Sequence, residues 1–310
     1  MTAARVLVVT CSPRVAPGLL SAAAWDALRA APVFCDDPGH PQLAALDAAG
    51  IRVRIAGPEA ALGAAGTVCW LASDTPIPDF GAVGVETVPG SWDLPGARLL
   101  DAVAVMDRLR SPGGCPWDAQ QTHASLAPYL LEEAYEAYQA LEDRAYTTDL
   151  REELGDVLLQ VLFHARLAQE PGGAGWDVDD VARDLVDKLV RRHPHVFGEV
   201  AVDGAAAVEA NWDAIKKAEK QRSSVVEGVA LGQPALSLAA KLVGRAVKAG
   251  LPTALPEAGR DTGADELLGR ALFGLAARAK AAGQDPEAAL RTVARSYAEQ
   301  LRAAEQSEGL

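Results

Sequence analysis

Cysteine is scarce in this chain of 310 residues. The four present, Cys11, Cys35, Cys69 and Cys115, fall into no CxxC spacing, so neither a zinc site nor a disulfide framework is signalled. They read as small buried hydrophobes in a reducing compartment. Positive charge is short too: 29 Lys and Arg stand against 42 Asp and Glu, a net charge of -13. A nucleic-acid polymer is therefore not expected as a partner, because affinity for a phosphate backbone comes mostly from Lys and Arg. A small phosphorylated ligand held through a cation stays compatible with that balance. Long hydrophobic runs are also missing. The apolar run at 6–10 is too short and too soon interrupted for a signal peptide or a membrane span, so a cytoplasmic location without a membrane partner is expected. What is present, 49% hydrophobic and 23% charged residues, suits a globular protein and excludes long disorder. The length allows two domains.

The first ninety or so residues alternate β-branched runs with Ala/Leu-rich stretches, the pattern of a small α/β unit. RVLVVT (5–10), IRVRIA (51–56), TVCWLA (67–72) and VGVETV (83–88) read as strands, and LLSAAAWDALRAA (19–31) as a helix. After the punctuation of Pro89, Gly90, Pro95 and Gly96, helical periodicity takes over. Helices are expected at 97–110, 125–143, 148–169, 178–192 and 206–222, joined by short turns as in an antiparallel bundle. The Ala-rich remainder reads as helices at 234–249, 266–281 and 286–304, a packing or dimerisation appendage. The fold expected is mainly α, a helical bundle with a small N-terminal α/β domain, divided at 1–95, 96–225 and 226–310.

The second of those helices carries LLEEAYEAY, which clusters Glu132, Glu133 and Glu136 on adjoining faces. The third carries REELGD, where Glu153 and Asp156 project from one face beside the apolar Leu154, Val157 and Leu158. Antiparallel packing of the two would bring four or five carboxylates together. Such a gathering is unfavourable unless cations neutralise it, and all-oxygen ligands select a hard cation such as Mg²⁺. An EExxE alone is an ordinary solvated helix face; the second acidic pair beside apolar positions is what makes a metal site worth expecting.

The fourth helix ends DKLVRRHPHVFG, offering Lys188, Arg191 and Arg192 on one face to a polyphosphate. The same charges would also complement a helix C-terminus. His193 and His195, split by Pro194 and without a third histidine nearby, receive no ligand role. Trp212, Lys216 and Glu219 share a face of the fifth helix, which adds an aromatic surface and a cation or simply buries a Trp. The loop CPWDAQQTH gathers Trp117, Gln121, Thr122 and His123 ahead of the acidic helix, where a base could stack or hydrogen-bond, although Trp117 suits a core position equally.

In this order, GCPWDAQQTH, LLEEAYEAYQAL, REELGDVLLQVLFHARLA, DKLVRRHPHVFG and NWDAIKKAEK closely resemble the MazG family of nucleoside triphosphate pyrophosphohydrolases over roughly 97–250. The resemblance implies an all-α bundle that dimerises, with Mg²⁺, or Mn²⁺ as a substitute, on Glu132, Glu133, Glu136, Glu153 and Asp156. It further implies hydrolysis between the α and β phosphates of ribo- or deoxyribonucleoside triphosphates, a cleaning of the nucleotide pool. Glu133, Glu136 and Glu153 are the candidate catalytic groups. Lys188, Arg191, Arg192, Trp117, Gln121, His123, Trp212 and Lys216 are the candidate substrate contacts. Members with two catalytic repeats carry a second acidic set; here 263–305 looks like that repeat in decay, its acidic pair falling at Leu267 and Arg270. The N-terminal stretch is faintly similar to the start of tetrapyrrole methylases, but TCSPRVAPG replaces their Gly-rich turn. Two rival readings are a non-catalytic nucleotide-binding regulator and a helical oligomerisation module.

Overall fold

The computed structural model describes residues 3–72, 76–81, 83–201, 203–220, 223–255, 259 and 263–308. The chain divides into two compact units, Met1–Val186 and Asp187–Leu310.

The first unit opens with β1 (Ala3–Thr10), α1 (Ala22–Ala30), β2 (Val33–Cys35), α2 (Leu43–Ala48), β3 (Val53–Ile55), α3 (Pro58–Leu62), β4 (Gly66–Ala72) and β5 (Gly84–Pro89). The strands make one parallel sheet in the order β3-β2-β4-β1-β5. A parallel sheet needs cover on both faces, and the side chains divide accordingly. Val9, Cys35, Cys69 and Leu71 pack with Leu28 of α1 and Leu46 of α2, while Val8, Phe34, Val68 and Trp70 pack with Ala61 of α3 and with Phe80. The strands expected at 5–10, 51–56, 67–72 and 83–88 are present as β1, β3, β4 and β5 with shifted ends. β2 was not expected: three buried residues are too few to show a period. Cys11, Cys35 and Cys69 are free and buried in this sheet, and burial pushes the Cys11 and Cys69 thiols up to about 11.

The helical part follows as α4 (Arg98–Arg110), α5 (Pro116–Gln120), α6 (His123–Glu142), α7 (Thr148–Gln169) and α8 (Val178–Arg192), the last of which runs across the boundary between the units. Arg14, its side chain only 5% exposed, joins the sheet region to α4 through Asp101 at 2.8 Å and also holds Asp93 at 2.7 Å. Met106, Leu126, Leu162, Phe163 and Leu167 form the core shared by α4, α6 and α7. α6 and α7 pack antiparallel: His123 at the start of α6 meets His164 late in α7, while Glu133 meets Glu153 near the other end. Between them the chain turns through Arg144 at φ 58°, with Ala145 N–H donating to the Ala140 carbonyl and Arg144 N–H to that of Leu141. These two bonds satisfy carbonyls that the end of α6 would otherwise leave bare.

The second unit contains α9 (Pro194–Phe197), α10 (Gly204–Lys220), α11 (Ala235–Lys248), α12 (Ala264–Ala281) and α13 (Pro286–Glu308), with α11 packed on both α12 and α13. The fifth expected helix, α10, starts two residues early, and its expected end at 221–222 lies outside the described residues. In α12, Leu267 is exposed and Arg270 donates to Glu266 at 2.9 Å. No helix among the described residues is long and apolar enough to cross a membrane.

Candidate active site

The α6–α7 hairpin is what gathers the acidic side chains. Glu133, Glu153 and Asp156 each offer one carboxylate oxygen, and the three oxygens lie within 4.8 Å of one another. Glu153 and Asp156 sit one turn apart on α7 and Glu133 faces them from α6, so two helix periodicities meet at one place. Partial burial raises the Glu133 carboxyl above its ordinary range, and the charges of Asp156, Glu136 and Glu132, together with a hydrogen bond to Glu136, push the same way. Glu153 is also raised, first by desolvation and then by Glu136, Asp156, Glu152 and Asp149. Glu136 therefore adjoins both, while Glu132 is exposed and reaches Glu133 only through space.

This donor set fits a hard divalent cation. Carboxylate oxygens are the donors such a cation takes, and the three here lie within 4.8 Å of one another. Glu133 and Glu153 are half-buried and Asp156 is exposed.

Along the same side of α7, past the acids, lie Gln160 and then His164. Gln160 is buried, and its Oε1 has no hydrogen-bond partner among the described residues. His164 Nδ1 stands 2.8 Å from His123 Nδ1, with the rings nearly parallel, and His123 stacks at 6.5 Å on Trp176. Burial, then the neighbouring His123, lowers the His164 pKa, which keeps that imidazole neutral at physiological pH. The segment expected as a plain loop contains α5, started by Pro116 at its first turn. Trp117 is half-exposed and meets Tyr129 edge-on at 6.0 Å. Gln121 is held in place, its Nε2 donating to the Trp117 carbonyl at 3.0 Å and its Oε1 accepting from Ser125 Oγ at 2.7 Å. Thr122 and Ser125 cap α6 reciprocally.

The expected cationic and aromatic contacts at Lys188, Arg191, Arg192, Trp212 and Lys216 belong to the second unit. There Arg191 donates to Glu219 at 2.6 Å and Arg192 grips the same carboxylate at 2.7 Å and 3.1 Å. These bonds, Arg192 first, hold the Glu219 carboxyl down at about 2. Arg192 also lies over the Trp212 ring at 5.4 Å, and His193 meets that ring edge-on at 4.8 Å.

Sequence reasoning overlooked Gln160, His164 and Trp176, and also Glu219 as the partner of both arginines. A helical projection of α7 would have found two of them, since Gln160 and His164 follow Glu153 at seven and eleven residues and so share its face. Trp176 and Glu219 act through tertiary contacts that carry no local signal.

Residues 121–197 match the model of the MazG nucleotide pyrophosphohydrolase domain, a span that contains all five acidic candidates. A protein of Streptomyces cacaoi, described as an uncharacterized 26.1 kDa protein in the blaB 3′ region, is 54% identical over 71% of this chain and 88% of its own length. The nucleoside triphosphate pyrophosphohydrolase of Mycobacterium tuberculosis is 42% identical over 73% of this chain, which spans 64% of that relative. The nucleoside triphosphate pyrophosphohydrolase/pyrophosphatase MazG of Thermotoga maritima is 38% identical over 68% of this chain and 87% of its own length. With 38% identity to the Thermotoga maritima protein across 87% of its length, this chain belongs to the MazG nucleotide pyrophosphohydrolase family.

Proposed function

We propose that the chain hydrolyses ribo- or deoxyribonucleoside triphosphates to the monophosphate and pyrophosphate in the cytoplasm, removing unwanted nucleotides from the pool. The observation that carries this reading is the convergence of Glu133, Glu153 and Asp156 within 4.8 Å, with Glu136 beside them. Those residues, with Glu132 at the edge, would hold Mg²⁺, or Mn²⁺ in its place. A bound divalent cation supplies charge neutralisation and Lewis acidity toward the phosphate oxygens.

The chain's own groups do the rest. Glu133 or Glu136 orients the attacking water or takes its proton. Lys188, Arg191 and Arg192 offset the charge that develops on the departing pyrophosphate. Both arginines are paired with Glu219, at 2.6 Å and 2.7 Å. Trp117, Gln121 and His123 face the base, and Trp212 and Lys216 add an aromatic surface and a cation.

In this reading 1–95 is a degenerate α/β domain, 96–225 the catalytic domain and 226–310 a structural remnant of a second repeat. The working form is a homodimer.

The test is product analysis with a panel of ribo- and deoxyribonucleoside triphosphates, with and without Mg²⁺. Monophosphate plus pyrophosphate appearing only with the metal supports the reading. Diphosphate plus phosphate, or nucleotide bound without turnover, sinks it.

A further inference from the structure

Arg110, the last residue of α4, plays no part in the chemistry described so far, yet it is among the most constrained cations in the molecule. Its side chain is 7% exposed. Nε and Nη2 donate to the two oxygens of Glu170 at 2.7 Å and 2.8 Å, a bidentate grip on the residue that ends α7. Nη1 donates to the carbonyl oxygens of Asp118 and, at 3.1 Å, of Gln121. The guanidinium lies over the Phe163 ring at 5.8 Å, and its charge is reinforced by Glu170. One side of the fork is thus fixed to α7, and the other holds the Asp118 carbonyl, which also accepts from Gln121 N–H at 3.2 Å, and the Gln121 carbonyl at the end of α5.

What those two carbonyls bracket is the connection into α6. Trp117 lies just before Asp118, and Gln121 carries the second carbonyl itself. Thr122 and His123 follow at once, and His123 must arrive 2.8 Å from His164, a residue of the helix to which Glu170 anchors the fork. A single planar group therefore sets the connection's position relative to α7, the helix that supplies Glu153 and Asp156. We propose that Arg110 is a positioning residue: it holds Trp117, Gln121 and His123 at the right distance from the acidic centre to receive the substrate's base. This rests on reading that connection as substrate-holding. Lysine cannot replace it, because one ammonium cannot grip a carboxylate bidentately and reach two carbonyls on its far side.

The test compares the full chain with Arg110→Lys, Glu170→Gln and His123→Ala, using the nucleoside triphosphate that the unchanged chain turns over fastest. KM, kcat, the Mg²⁺ concentration for half-activation and the melting midpoint are measured for each. Misplacing a substrate contact without touching the reacting groups raises KM and spares kcat. Arg110→Lys should raise KM about tenfold, with kcat changed less than about threefold and the Mg²⁺ requirement unchanged. Glu170→Gln, which loosens the anchor and keeps the fork, should move KM the same way by less. An unchanged KM in Arg110→Lys while His123→Ala raises it overturns the positioning role and leaves the substrate-holding connection standing. An unchanged KM in both overturns that reading and the proposal with it. Loss of kcat in parallel with the melting midpoint, at constant KM, also overturns it, because that is the mark of a structural tie alone.

Discussion

Replacing Glu153 with Gln tests the acidic centre through stability, independently of turnover. In the metal-free chain the Glu153 and Glu133 pKa values are raised, so the folded state binds protons more tightly than the unfolded one. The sign follows: stability falls as pH climbs past the ordinary value of 4.5 and through the raised folded-state values. Neutralising Glu153 removes its repulsion with Glu136 and Asp156, so the metal-free variant should melt no lower than the unchanged chain at pH 7. A divalent cation reverses the order. At a hundred times its dissociation constant it stabilises the folded state by about 2.7 kcal/mol, roughly 5–10 °C for a unit of this size. A hundredfold weaker site at the same Mg²⁺ leaves about 0.4 kcal/mol, or roughly 1–2 °C. Calorimetry at pH 7 should therefore give a large Mg²⁺ increment for the unchanged chain and a small one for Glu153→Gln. Sodium chloride at equal ionic strength should not reproduce the increment, because the three oxygens lie within 4.8 Å, inside the screening length of about 8 Å at physiological salt. An equal increment in the variant, or an equal one from sodium chloride, refutes the metal centre at this place.

Two further outcomes follow from the same geometry. Arg144 holds φ 58° with an exposed side chain, a conformation that costs an L-residue about 1 kcal/mol, so Arg144→Gly should raise the urea midpoint with an unchanged slope; a fall would show that the arginine side chain carries the turn. Glu170 and Glu219 have pKa values held down by Arg110 and by Arg192 with Arg191. Their contribution is therefore present above 4.5 and is lost as pH drops below it, for Glu219 down to about 2. Acid titration of Glu219→Gln should show a shallower loss over that window than the unchanged chain, and an identical acid limb would contradict the pairing.

How much of this could be read from sequence depended on element length. α7 and α8 run over the residues expected, 148–169 and 178–192, because long apolar periodicity and the breakers Pro171, Gly172 and Gly173 leave little choice. The acidic face was legible for the same reason, since helical spacing alone puts Glu153 and Asp156 together. β2, α2, α3, α5 and α9 are each shorter than two full turns or a clear alternation, and none was expected. The tie from Arg110 to Glu170 and the sharing of Glu219 by two arginines join distant segments, and no local pattern encodes such pairs.

The hairpin also bears on the order in which the molecule assembles. All the acidic candidates lie on two consecutive helices joined by one tight turn, so closing that turn brings them together with little loop entropy to overcome. Contacts this local form early in folding. The charge repulsion at the centre is then met while the rest of the chain is still unfolded, and a cation that binds the nascent hairpin would speed folding as well as stabilise its product.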